Sequence, residues 1–432
     1  MFELIQTLLG RHARKVKVYS VDIVRICVVY LQSTQSTASD KENASDTILA
    51  LVSKDALSSD IDKNKLVVDL MTVFKQKSSP IKTQRSVYIL LGMLSKRHPE
   101  VFTLKSAAEL RDKMISTIQW IFKIKSAKPS LMLISGAVDG LKNHLVNFTP
   151  NADDDPQFSF RLYECMVYFS DPSEDVSTRV PFRKILEIIH EFGHVLDIPS
   201  FFFRDFKRWQ EVLEKWITSK SYDDKIAGVY AMQTFHEQIA NALGQRRNED
   251  DKNILLYFMN FFRKVLEASL SEPHEIRIAI RGFGSMAGAC KLLLEPNYLC
   301  ELFDLVMQRT EYSYHTKDSM RKREVLEHLP NYVESLSKIM NHLDEISGIQ
   351  LQSLQSIIVI LVKDFHFLST AHHSLVANAM LETFVNLQKL GETFKLIDEK
   401  DLAERRAVAD ALFSANESKL MEFLSFLILK KH

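Results

Sequence analysis

The chain has 432 residues, of which 46% are hydrophobic and 25% are charged, with a formal net charge of zero. This composition predicts a globular protein with a large core, and it excludes a mostly disordered chain. The balance of 55 basic and 55 acidic residues argues against a protein that coats itself in nucleic acid. No apolar run approaches the length of a membrane span and no secretion signal opens the chain, so we expect no membrane contact.

A short basic segment near the start of the chain lies between two apolar stretches. Its cations are Arg11, Arg14, Lys15 and Lys17. Such a cluster is either a solvated helix junction or a contact for the phosphates of DNA. Aromatic residues do not alternate with the cations, so the segment itself gives no sign of base stacking. These four residues are the candidate nucleic-acid contact of the chain.

The next feature is a polar run over residues 32–46, which has no apolar period and is predicted to be a disordered loop. Beyond it, apolar residues recur at helical spacing, with breaks such as 76–80 and 98–99. Only 12 Gly and 11 Pro leave few of the turns that a many-stranded protein needs. The pattern predicts an all-α fold, an α-solenoid of irregular HEAT- or armadillo-like repeats with a period of roughly 40 residues, continuous over residues 1–432. A compact helical bundle is the alternative.

Residues 190–194 carry the HExxH spacing, in which two histidines on one helical face hold zinc and the glutamate acts as general base. His190 and His194 would be two ligands, and Glu211 or Glu214 would supply a third from a following helix. This constellation makes a zinc metallopeptidase the rival function. The simpler interpretation is one repeat helix over 181–196, without metal or any other cofactor.

Small residues are concentrated in the stretch 276–293. Gly284 and Gly288 lie one helical turn apart on the face that also carries Ile280 and Ala287, where another backbone is able to approach closely. Each glycine costs about 1 kcal/mol of helix propensity relative to alanine. The stretch therefore predicts a tight helix contact.

Later in the chain, a second basic cluster covers residues 321–323, and an apolar helix is expected over 420–429. Residues 1–9 have the pattern of the latter half of an apolar helix. A solenoid normally closes with polar capping repeats, so both ends of the chain indicate an array that continues further. The four cysteines form no CxxC pair, which is typical of reduced thiols in the nucleus or cytosol.

The order of residues in 276–293 resembles the amino-terminal helical region of the catalytic subunits of DNA-dependent protein kinases, within the PI3-kinase-related kinase family. Other patches match in the same order, and together they cover about residues 18–340. These patches are Tyr19 to Ile23, Leu90 to Leu94, Gly140 with Leu141, Asn147 to Thr149, Leu213 to Trp216 and Tyr257 to Met259.

This resemblance implies a scaffold of DNA double-strand-break repair by non-homologous end joining. The implied partners are double-stranded DNA ends, the Ku heterodimer and the remaining domains of a parent serine/threonine kinase, and the implied location is the nucleus. The sequence contains no His-Arg-Asp or Tyr-Arg-Asp catalytic loop and no Asp-Phe-Gly triplet, so we expect this chain itself to be no enzyme. A generic HEAT-repeat adaptor unrelated to repair is a further alternative.

Overall fold

A computed structural model of the chain describes residues 1–343 apart from 77–78, 124–130, 152–154, 172–174, 246–248, 268–272, 315–330 and 333. The described residues contain α-helices and three 3-10 helices and no strand. The predicted features at 321–323 and 420–429 lie outside the described residues. The α-helices are α1 (Phe2–Val16), α2 (Ser20–Gln32), α3 (Ala38–Ser53), α4 (Lys63–Lys75), α5 (Ile81–Arg97), α6 (Leu104–Lys123), α7 (Leu131–Phe148), α8 (Pro156–Phe169), α9 (Arg179–Phe192), α10 (Ile198–Arg204), α11 (Phe206–Ile217), α12 (Tyr222–Gln245), α13 (Glu249–Glu267), α14 (Pro273–Leu293) and α15 (Pro296–Tyr314).

The chain divides into two compact units, residues 1–234 and 235–432. In the first unit, helices pair along the chain, as α2 with α3, α4 with α5, α6 with α7 and α8 with α9. Each pair also stacks on the next, because α3 packs on α5, α5 on α7 and α7 on α9, while α2 packs on α4 and α6 on α8. In the second unit, α14 packs against both α13 and α15. The expectation of one continuous array over the whole chain stays a prediction.

The helix boundaries follow the signals in the sequence at most breaks. Helix α4 begins after Asp62, whose Oδ1 accepts a hydrogen bond from the Lys65 backbone at 3.0 Å. It ends at Lys75, and α5 begins at Ile81, which confirms the predicted break at 76–80. Apolar residues of α5 such as Leu90, Leu91 and Leu94 are fully buried, as their helical spacing requires.

The predicted disordered loop over residues 32–46 is wrong from residue 38 onward, where α3 begins. Thr37 and Asp40 form a capping box, in which the Thr37 side chain accepts from the Asp40 backbone at 3.2 Å and Asp40 accepts in return from the Thr37 backbone at 3.1 Å. Ala44 and Ser45 are fully buried although the segment is polar. Capping and packing against neighbouring helices therefore make this polar stretch helical.

One buried histidine links two stacked helices of the first unit. His144 on α7 lies 3.0 Å from the Ser95 hydroxyl on α5, and that hydroxyl donates to the Gly92 carbonyl at 2.8 Å. Since the hydroxyl proton is used on Gly92, the Ser95 oxygen accepts from the Nδ1–H of His144. The ring stacks on Phe148, with a centroid separation of 5.0 Å. Burial lowers the pKa of His144 to about 4 from its ordinary value of 6.5, while a hydrogen bond to the Ala107 backbone opposes this shift and the Arg111 charge adds to it.

We expect the stability of the first unit to decrease as the pH falls from about 6.5 towards 4. Because the pKa of His144 is lower in the folded state than in the unfolded state, the unfolded state binds more protons in this window. Above pH 6.5 the ring is neutral in both states and the stability contribution of His144 is fully present. It is lost as the pH falls towards 4, and the full shift lowers the free energy of unfolding by about 3 kcal/mol. Urea unfolding between pH 4.5 and 7 would measure it, with His144→Gln as the comparison. Equal pH slopes for the two proteins would contradict this role of His144.

Candidate nucleic-acid interface

The basic segment of residues 11–17 lies at the junction of the first two helices. Helix α1 packs inward through Phe2, Leu9 and Val16, which are buried and spaced seven residues apart. Its backbone leaves helical geometry at His12, where φ is −137° and ψ is 39°. A short 3-10 turn over Lys17–Tyr19 then leads into α2. Because the buried face points to the core, the cations of this segment are directed to solvent.

The structure brings together the four cations of the sequence-predicted contact. Arg11, Arg14, Lys15 and Lys17 are all exposed. Residues 11–17 contain no carboxylate, and none of the residues that the structure describes forms an ion pair with any of these four side chains. The segment therefore presents positive charge that is not neutralised by its surroundings, which is the requirement for a phosphate contact.

An exposed aromatic side chain beside these cations was missed in the sequence. Tyr19 follows Lys17 by two residues, and 66% of its surface is exposed. In the described part of the chain, no residue stacks on its ring or hydrogen-bonds its hydroxyl. Residues 11–17 contain no aromatic residue, but the 3-10 turn that follows them adds Tyr19 to the same exposed segment. The signal in the sequence was a tyrosine two residues after the last cation of the segment.

The proposed zinc ligands are not assembled. Helix α9 ends at Phe192, so the end predicted for the helix over 181–196 is four residues too late. His190 therefore lies in the last turn of the helix and His194 in the turn that follows. Glu211 and Glu214 are exposed on α11. Among the described residues, no three His, Cys, Asp or Glu side chains come together in an arrangement for a metal ion. Buried Leu196 continues the inward face, since the backbone stays right-handed at Gly193 and becomes left-handed only at Asp197, where φ is 49°.

The small residues of α14 pack against Ser335 and His342, which follow α15 in the second unit. A Cβ added to Gly284 would be 2.9 Å from the Ser335 Cα, and one added to Gly288 would be 3.3 Å from the His342 ring. Ser335 also donates to the Ile280 carbonyl at 2.6 Å. Ile280 and Ala287 are fully buried. These small and apolar residues of α14 therefore serve close helix packing, and they offer no side chain that could ligate a metal or a phosphate.

Two buried thiols and one half-buried tyrosine have raised pKa values. Burial raises the pKa of the Cys27 and Cys290 thiols to about 12, which keeps them protonated and unreactive. Burial also raises the pKa of Tyr298 to about 12. No helix among the described residues is long and apolar enough to cross a membrane. The chemistry that the basic segment offers is therefore electrostatic binding.

The stacked helix pairs define a helical-repeat protein of the HEAT type. The fold is similar to that of importin beta, with a TM-score of 0.59 and 10% sequence identity over 91% of this chain and 49% of that protein. This similarity confirms the all-α solenoid fold that the sequence predicts, and at this identity it shows the fold alone.

The family described as DNA-PKcs, N-terminal, matches residues 1–400, and the chain belongs to this family. The DNA-dependent protein kinase catalytic subunit of Xenopus laevis is 24% identical over 396 residues, and that of Mus musculus is 25% identical over 394 residues. These matches cover 90% and 88% of this chain but 9% of each relative, so the chain spans a small part of their length. The resemblance inferred from the residues is thereby confirmed.

Proposed function

We propose that this chain is a non-catalytic scaffold of a DNA-dependent protein kinase catalytic subunit, which holds double-stranded DNA ends and the Ku heterodimer during non-homologous end joining in the nucleus. Its membership of the DNA-PKcs N-terminal family supports the scaffold role. The observation that carries the DNA contact is the group of four exposed, unneutralised cations at 11–17. Phosphoryl transfer belongs, in this proposal, to the remaining domains of the parent kinase.

The electrostatic argument favours DNA over a protein partner of mixed charge. The chain as a whole carries no net charge, so attraction to DNA depends on local groups of cations. A cation that contacts a phosphate releases condensed counterions, which makes binding strongly dependent on salt. Four flexible side chains at a helix junction recognise the backbone and carry no sequence information. We therefore infer a contact that is indifferent to base sequence, as an end-holding protein requires.

Replacing Arg11, Arg14, Lys15 and Lys17 together with alanine should weaken binding to a blunt duplex and flatten its salt dependence. Each phosphate contact contributes about 0.9 to the slope of log affinity against log salt, so loss of all four contacts lowers the slope by up to about 4. Fluorescence anisotropy with a labelled 30-base-pair duplex at several salt concentrations would measure both quantities for residues 1–432. Circular dichroism would establish that the variant retains its helices.

A matched control removes the same charge from elsewhere in the first unit. Lys54, Lys65, Lys105 and Lys113 are exposed and scattered over three helices and their ends. Their combined replacement with alanine should leave the salt slope nearly unchanged. If both quadruple variants lose the same slope, net charge and not the basic segment governs binding. If neither does, the DNA contact at residues 11–17 is wrong.

The generic adaptor remains the alternative function, and addition of Ku discriminates between the two. In the repair scaffold, Ku bound to the duplex should increase the affinity of the chain for the same DNA. If the chain does not bind the duplex, either with Ku or without it, the generic adaptor is favoured.

A further inference from the structure

Tyr19 lies exposed at the edge of the basic segment. The 3-10 turn over Lys17–Tyr19 ends where α2 begins, and Val18 and Tyr19 are 76% and 66% exposed. An exposed tyrosine beside unpaired cations is the combination by which proteins hold unpaired nucleotides, since the ring stacks on a base while the cations follow the backbone. The bases inside a duplex are stacked on each other and have no free face to offer.

The turn that carries Tyr19 is fixed by two hydrogen bonds of a buried serine. Ser20 is fully buried, and its hydroxyl donates to the Lys17 carbonyl at 2.7 Å. The same oxygen accepts from the Ser58 backbone N–H at 2.9 Å, which ties the turn to the loop between α3 and α4. An aromatic side chain on an anchored turn loses less conformational freedom on binding than one on a free loop. The backbone that carries Tyr19 is therefore fixed two residues from Lys17 in the unbound protein.

We propose that Tyr19 stacks on an unpaired base of a single-stranded DNA overhang, so that this surface prefers ends with overhangs over blunt ends. The proposal rests on the proposed function, because Arg14, Lys15 and Lys17 hold the adjoining phosphates. Stacking would distinguish overhanging ends from blunt ends, which the cations alone do not do, because both kinds of end carry phosphates.

The test compares labelled duplexes that differ only at one end, with the other end closed by a hairpin. One duplex is blunt and the other carries a four-nucleotide overhang of thymidines. The unmodified chain should bind the overhang more tightly. Tyr19→Ala should lower affinity for the overhang about tenfold, which corresponds to one stacked base, and the preference for the overhang should disappear. Tyr19→Phe should retain the preference, because the ring and not the hydroxyl makes the contact.

Tyr222 provides a matched control. It is an exposed tyrosine at the start of α12, with 73% of its surface exposed, but the two residues that follow it in the sequence are Asp223 and Asp224. Tyr222→Ala should leave both affinities unchanged. The proposal is overturned if the unmodified chain shows no preference, or if Tyr19→Ala retains the preference. Loss of binding to both ends in the quadruple alanine variant, together with no overhang preference in the unmodified chain, would retain the phosphate contact and remove only the stacking role.

Discussion

Gly92→Ala is expected to destabilise the first unit by about 3 kcal/mol, although alanine is the better helix former by about 1 kcal/mol. Helices α5 and α7 touch through their backbones at this point. A Cβ on Gly92 would overlap the Gly140 carbonyl oxygen and lie 2.7 Å from the Gly140 Cα. Since the neighbouring atoms are backbone and not the end of a flexible side chain, the two helices must separate to admit the methyl group. Two glycines of α7 are also close to the α5 backbone. A Cβ on Gly136 would lie 2.9 Å from the Arg85 Cα, and one on Gly140 would overlap the Tyr88 carbonyl.

Thermal unfolding followed by circular dichroism would measure this effect, and hydrogen exchange in peptides of α5 and α7 would locate it. Gly10→Ala is the matched control, because it is also a glycine inside a helix but has no heavy atom within 4 Å of the added Cβ. Its stability should be unchanged or increased by up to about 1 kcal/mol. If Gly92→Ala melts at the same temperature as the unmodified chain, the backbone contact between α5 and α7 is not tight.

The sequence predicts the repeat architecture because a solenoid depends on local rules. Each helix needs only an apolar stripe and a break, and both are visible in residues such as Leu90, Leu91 and Leu94. The period is also recovered, since side chains that bridge stacked helices are separated by similar distances along the chain. Arg111 and Asp155 are 44 residues apart, and Lys142 and Glu187 are 45 residues apart. These contacts agree with the predicted period of roughly 40 residues.

The errors came from places where tertiary contacts decide the outcome. Residues 38–46 are polar and gave no apolar period, yet α3 begins at Ala38 because Thr37 and Asp40 cap it and the helix packs on its neighbours. The helix over 181–196 was predicted too long because α9 gives way to a turn over residues 193–197, which ends at the left-handed Asp197 and which no proline marks. The cations at 11–17 are exposed, and their role in binding stays a prediction; the exposure of Tyr19 depends on the 3-10 turn, which the sequence does not reveal.

Arg179→Ala is the second substitution for which we expect a large effect, a loss of about 3–5 kcal/mol. Arg179 is 2% exposed, and its Nε donates to Asp224 on α12 at 2.8 Å. Its Nη1 donates to the backbone carbonyls of Phe169 and Asp171 at 3.2 and 3.1 Å, which satisfies the end of α8. The guanidinium also lies 4.9 Å from the centroid of the Trp216 ring.

The alanine variant leaves Asp224 and two carbonyl groups without this donor, and a buried acceptor that loses its partner costs more than the bond contributed. Arg179→Lys should recover little, because an ammonium group cannot reach the carboxylate and both carbonyls in one plane. Arg25→Ala is the control, since Arg25 pairs with Asp22 at 2.9 Å but is 75% exposed, and we expect a change within about 0.5 kcal/mol. Urea unfolding of the three variants would rank them. Equal losses for Arg179→Ala and Arg25→Ala would mean that α8, α9 and α12 are held together by their apolar contacts alone.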